Sequence, residues 1–309
     1  MNTTSNALPG SPHDPQAVAP AALWPTRPLH WSVRRELWEN RSLYIAPLAV
    51  AGVILFGFLI STIGLPHRRR ATLLLDAAQQ RAAIEKPYDM AAVMIMATIF
   101  IVGVFYCLDA LHGERRDRSI LFWKSLPVSD FTTVLSKALI PLAVLPLIAF
   151  AIIVATQVDM LLLSNVVLAA NGVPATTGEQ LPLFQHSLIL AYGLATLALW
   201  HAPIYAWLLL VSGWARRATF LWAVLPFVLI SMLERMALGT SYFGKMVTYR
   251  LMGHMHRAFA LPPKEHQINS LTQLTPAKFL STPGLWVGLL LAAGLLVAAV
   301  RLRRERGPI

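Results

Sequence analysis

Six stretches of this 309-residue chain stay apolar for close to the ~20 residues that a helix needs to cross a ~30 Å hydrocarbon layer at ~1.5 Å per residue. They fall at 43–63, 90–108, 138–163, 187–214, 218–233 and 285–300. In lipid every backbone polar group must find its partner inside the protein, so runs of this kind fold as helices. Composition agrees: with 56% hydrophobic and 13% charged residues, too little polar surface remains to keep a water-soluble domain in solution. The chain therefore reads as an all-α integral membrane protein with six transmembrane helices and both ends on one side. Prolines punctuate it. Gly64-Leu65-Pro66 is expected to end the first span, and Pro141 and Pro146 interrupt the third, where neighbouring groups must satisfy the freed carbonyls.

The formal net charge of +11 would suggest nucleic acid in a soluble protein, but here many Lys and Arg flank the apolar runs. That placement suits anionic headgroups and orientation, and no nucleic-acid partner is expected. With the amino terminus inside, the inner segments hold Arg27, Arg34, Arg35, Arg41, Arg115, Arg116, Arg118, Lys124, Lys137, Arg216, Arg217, Arg301, Arg303, Arg304 and Arg306. Two features oppose this orientation: Arg68, Arg69 and Arg70 in the first outer loop, and six basic residues between spans five and six. Long loops translocate largely regardless of charge, which accounts for the second better than the first. The expected setting is a cell membrane, in particular a bacterial inner membrane, with both termini cytoplasmic. Residues 1–29 are proline-rich and lack the apolar core of a signal peptide, so a disordered cytoplasmic tail is expected there, and a basic cytoplasmic tail at 301–309. Cys107, the one cysteine, excludes an internal disulfide.

Two segments carry more than topology. Over 30–42, Trp31, Leu37 and Trp38 can share one side of an amphipathic helix and Arg35, Glu36 and Glu39 the other, with Arg34 and Arg41 snorkelling, as in a helix lying flat at the interface. Between spans two and three, Asp109 to Phe131 passes from mixed charges into an apolar cluster of Ile120, Leu121, Phe122, Trp123 and Leu126. It stops at Leu126-Pro127 before Ser129 and Asp130 cap the next helix. Left exposed, that cluster needs a cover of lipid, protein or partner.

The order Arg34-Arg-Glu-Leu-Trp-Glu-Asn-Arg-Ser-Leu-Tyr-Ile-Ala-Pro47, then Glu114-Arg-Arg-Asp-Arg-Ser-Ile-Leu-Phe-Trp-Lys-Ser-Leu-Pro-Val-Ser129, resembles the type 2 ATP-binding-cassette (ABC) exporter permeases. The resemblance implies a six-helix bundle with an amino-terminal interfacial helix, matched here by Trp31, Arg34, Arg35, Glu36, Leu37, Trp38 and Glu39. It also implies a coupling helix that docks into a groove of a cytoplasmic ATPase, matched by Glu114, Arg115, Arg116, Asp117, Arg118, Ile120, Leu121, Phe122, Trp123, Lys124, Leu126 and Pro127. The family often has short re-entrant helices between spans five and six. The roughly fifty residues here, with Tyr242, Lys245, Tyr249, Arg250, His254, His256 and Arg257, look too polar to re-enter simply, a departure from the pattern.

No glycine-rich loop ending in Gly-Lys-Ser/Thr is present to wrap phosphates, so ATP and Mg²⁺ are expected on a separate ATPase chain and no cofactor on this one. The resemblance thus implies a permease subunit that is not itself an enzyme, paired with a second permease subunit, identical or different, in contact with membrane lipids. The alternative is a membrane accessory or assembly factor with the same fold that transports nothing. An intramembrane enzyme ranks last, because the spans lack converging His, Glu or Asp sets. His201 lies mid-span beside Pro203 and is a candidate for the translocation path, with satisfaction of a loosened carbonyl as the plainer role. His254 and His256 lack further metal-type ligands at useful spacing. Asp159, Glu234 and Arg235 sit at span ends, where they reach water, and Gly284-x-x-x-Gly288 says little in a span rich in small residues.

Overall fold

A computed structural model of the chain describes residues 26–72, 74–173, 182–260, 268 and 270–307. Its helices, in order, are α1 (Thr26–Glu39), α2 (Ser42–Ser61), α3 (Leu65–Thr72), α4 (Ala77–Asp109), α5 (His112–Arg116), α6 (Ser119–Ser125), α7 (Asp130–Leu139), α8 (Leu145–Ala170), α9 (Leu183–Trp214), α10 (Thr219–Leu238), α11 (Tyr242–Met252), α12 (His254–Ala258), α13 (Pro276–Leu280) and α14 (Pro283–Glu305). Six segments are long and apolar enough to cross a membrane: Ser42–Thr72, Ala77–Arg116, Asp130–Ala170, Leu183–Trp214, Thr219–Leu238 and Pro283–Glu305. The tail expected at 1–29 lies outside the described residues except for 26–29, which open α1.

The helices overrun their apolar cores. α4 starts thirteen residues before the run at 90, because Asp76 caps it by accepting from the Gln79 N–H at 2.8 Å. Pro66 does not end the first span: a 3₁₀ turn at Thr62–Gly64 leads directly into α3, where Pro66 is the second residue and its missing N–H costs nothing. A π-helical turn at Ile140–Val144 joins α7 to α8 around Pro141, widening the ladder where the proline removes a donor. Ser129 caps α7 by accepting from Thr132 N at 3.1 Å, and α6 stops at Ser125 before Leu126-Pro127, both as the sequence predicts.

The core lies where α2, α4, α8 and α9 meet, around Leu43, Ile95, Leu145, Ile153 and Leu209, all nearly inaccessible. α10 stands apart: 6% of its apolar stretch is buried within the chain, against 67% of that of α9.

The segment after α10 departs from the polar outer loop expected of it. Gly239, at φ +64°, ends α10, and Glu234 then accepts from Tyr242 N (2.6 Å), Phe243 N (2.8 Å) and Thr240 Oγ1 (2.8 Å), capping α11. α11 and α12 fold back onto α9 and α14. The Arg250 guanidinium covers the Trp200 ring at 4.7 Å and donates to Gly284 O at 2.9 Å, and a Cβ at Gly288 would occupy the place of its Nη2. Gly284-x-x-x-Gly288 is therefore the seat of an arginine. Of the segment's cations, Arg250 is set against an aromatic face and a backbone carbonyl, while Lys245 and Arg257 stay exposed.

Candidate functional site

The end of the bundle that carries both termini of the described chain is organised by charge. Glu36 of α1 receives hydrogen bonds from Lys137 Nζ of α7 (2.8 Å), Tyr106 OH of α4 (2.8 Å) and Arg35 (2.9 Å). Glu114 of α5 pairs with Lys137 at 3.0 Å, with Arg35 at 3.0 Å and, closely, with Arg303 of α14; Arg303 Nε also donates to Asp130 Oδ1 at 3.0 Å. Glu36, Lys137, Glu114 and Arg303 are all buried, and with Arg35, Asp130 and the exposed Glu39 they form one connected set in which four carboxylates meet three cations. A buried ion is tolerated only when its partners are in place, so this hub fixes α1, α4, α5, α7 and α14 relative to one another.

The α5–α6 segment is bolted to the same hub. Ser212 Oγ of α9 accepts from Leu111 N (2.8 Å) and His112 N (3.1 Å), and Arg115 donates to Gly213 O (2.7 Å) and Gly307 O (3.2 Å). Arg118, held in the left-handed region at φ 59°, turns the chain so that α6 doubles back. Trp123 then lies against the Arg35 guanidinium at 3.7 Å, and Phe122 meets Trp123 edge-on at 4.9 Å.

This geometry divides the predicted coupling residues in two. Glu114, Arg115 and Ile120 are buried in the bundle and present nothing outward; Trp123 is half-buried on Arg35. Arg116, Asp117, Arg118, Leu121, Phe122, Lys124, Leu126 and Pro127 remain exposed. Leu121 and Phe122 are each 59% accessible and form the outer ridge of α6. Lys124 reaches the carbonyls of Arg304 and Arg306, tying α6 to the chain end.

The segment expected to form an amphipathic helix is helical, as α1, but its faces are arranged differently from the sequence reading. Arg35 and Glu36 point into the hub rather than to water, while Leu37 packs on the core with Val33 and does not share the outer face with the tryptophans. The outer face is Trp31, Arg34 and Trp38, with the Arg34 guanidinium 5.3 and 4.8 Å from the two rings. Glu39 pairs with Arg35 at 3.4 Å. Arg303, assigned by sequence to a basic tail, is a buried member of the hub on a helix that continues to Glu305. Lys137 and Tyr106 were missed as site residues. Lys137, a lone cation at the start of an apolar run, was the available signal.

His201 is buried, with Nε2 3.0 Å from Leu251 O and its ring against Phe100 (5.7 Å) and His254 (5.8 Å). It lies thirteen residues from the end of α9, about 20 Å up the helix, so α11 and α12 reach well into the bundle. His256 is at the far side of α12, and among the described residues no three His, Cys, Asp or Glu side chains are grouped to hold a metal. Asp159 is exposed on α8, which continues beyond it to Ala170, so it stands within the helix rather than at its end.

Fold and site together define an all-α multi-pass membrane protein whose terminal end carries a charge-locked helical knuckle with an apolar ridge. Compared with family models, curated proteins and solved structures, the chain matches none.

Proposed function

We propose that this chain is the membrane-spanning permease subunit of an ATP-driven exporter of the type 2 ABC kind, and that α6 is the element a separate cytoplasmic ATPase grips. The observation that carries this reading is the pairing of an exposed apolar ridge, Leu121 and Phe122, with a buried ionic hub directly beneath it. A surface that only faced water would not need apolar side chains, and one that only faced lipid would not need the hub. An element that transmits force needs both: a grip on the motor and rigid attachment to the spans. α6 itself is attached to α1 through Trp123 and Arg35 and to the end of α14 through Lys124, and α5, which leads into it, is tied to α9 through Arg115 and to α7 and α14 through Glu114. ATP would bind a closed ATPase arrangement more tightly than an open one, and that difference in affinity is what would shift the spans between two states.

The test is co-purification with a nucleotide-binding subunit, sought first among the products of neighbouring genes. Leu121→Ala with Phe122→Ala removes the ridge and leaves the hub intact. Losing those two contacts removes about 2–4 kcal/mol, roughly 30- to 1,000-fold in affinity, so the ATPase should be lost from an otherwise well-folded permease. Undiminished co-purification refutes the role of α6. Reconstitution of the pair then separates export from assembly: ATP turnover that carries nothing across would favour the accessory factor.

A further inference from the structure

At the opposite end of the bundle, residues of α2, α3, α4 and α8 line a cavity of about 390 Å³. Its walls are mostly hydrocarbon, including Phe58, Ile84, Pro87 and Leu168, and Arg68 and Arg69 of α3 stand along one side. Arg69 is buried, Arg68 is exposed and reaches back to Ser61 O, and among the described lining residues there is no Asp or Glu. The only other polar groups are small: Ser61, Thr72, and the Tyr88 and Ser164 hydroxyls, which meet at 3.3 Å. Ser61 ends a helix of twenty residues that starts in the hub end, so the arginines sit about 30 Å from that end, at the depth of headgroups.

These arginines are the residues that the orientation rule disfavours in the first outer loop, and they set positive charge beside a hydrocarbon-walled cavity. We propose that the cavity binds one anionic phospholipid, its phosphate held by Arg68 and Arg69 and one acyl chain lying along Phe58, Ile84, Pro87 and Leu168. Guanidinium forks match phosphate oxygens, and a cation set in an apolar wall favours an amphiphile with a charged head over either a free anion or a neutral lipid. The site is independent of the exporter reading and stands or falls without it.

The experiment uses the full-length chain, purified in detergent and depleted of lipid, with dioleoyl phosphatidylglycerol, dioleoyl phosphatidylcholine or inorganic phosphate added back. Thermal midpoint and lipid retained in native mass spectrometry are read. Phosphatidylglycerol is expected to raise the midpoint and remain bound, at least about tenfold more tightly than phosphatidylcholine. Because Arg69 is buried, the variants chosen are Arg68→Glu, which reverses an exposed charge, and Ala83→Phe, which fills the cavity and keeps both arginines. Each should abolish the selective shift while leaving the lipid-free midpoint close to wild type. Three results overturn the proposal: an equal effect of phosphatidylcholine, an equal effect of inorganic phosphate, or a phosphatidylglycerol effect retained by both variants.

Discussion

Lys137 is the buried cation shared by the two buried carboxylates of the hub. Its ammonium is 2.8 Å from Glu36 and 3.0 Å from Glu114, and replacing it with Met would strand two buried carboxylates. Breaking one partner out of a buried ion set costs about 3–5 kcal/mol, so Lys137→Met should lower the thermal midpoint sharply in detergent. Adding Glu36→Gln should recover part of the loss, which a double-mutant cycle on thermal unfolding will measure. Gly288→Ala makes a second residue-level case. The added methyl takes the place of the Arg250 guanidinium, so a conservative change in an apolar helix should cost about 1–3 kcal/mol and increase hydrogen exchange in α11. Of these residues, Lys137 alone stood out in the sequence, as a charge at the mouth of an apolar run. Gly288 was indistinguishable from its small neighbours, because the arginine it seats is 38 positions earlier.

Among the elements, α6 and the α11–α12 pair illustrate opposite outcomes. The stop at Pro127 and the cap at Ser129 are local chemistry, so the end of α6 and the start of α7 followed from the sequence. Which of its apolar residues face outward did not: Ile120 turns inward, Trp123 settles on Arg35, and only then do Leu121 and Phe122 form the ridge. For the same reason a cysteine reporter of sidedness belongs at exposed Ser125 rather than half-buried Ser119. With Cys107 fully buried, Ser125→Cys should resist an impermeant thiol reagent in intact cells and react after permeabilisation; ready labelling in intact cells inverts the topology. In α12, burial and then the nearby His201 push the His254 imidazole down to about 4. Its ordinary value is near 6.5, so between those limits the unfolded segment takes up more protons than the folded one, and stability falls as pH falls. Hydrogen-exchange protection in α11 and α12, corrected for the intrinsic rate at each pH, should fall from pH 7 to pH 5, and His254→Phe should flatten that dependence.

For the whole molecule, α10 is the anomaly. With 6% of its apolar stretch buried in its own chain, it is a span without a bundle on most of its circumference. If this chain works as one of two permease halves, α10 is the natural seam. Single cysteines at exposed Leu229 and Leu233 should then form intermolecular disulfides in native membranes at a rate that Leu291→Cys, exposed on α14, does not approach. Equal cross-linking at all three positions would point to random collision in the bilayer.

The sequence by itself determined that the chain is helical, that six of its segments are long and apolar enough to cross a membrane, and that α6 ends before Pro127 and α7 begins at the Ser129 cap. These follow from transfer energies and backbone hydrogen bonding, which act over a few residues or along one span. Only the tertiary structure decided that the charged face of α1 turns inward, that Arg303 belongs to a buried hub, and that a polar loop packs deep between α9 and α14. Each depends on a charge meeting partners far along the chain, opposite charges in the hub and an aromatic ring with a carbonyl at Arg250, and a charge's cost in a low-dielectric interior is set by partners that spacing along the sequence does not reveal.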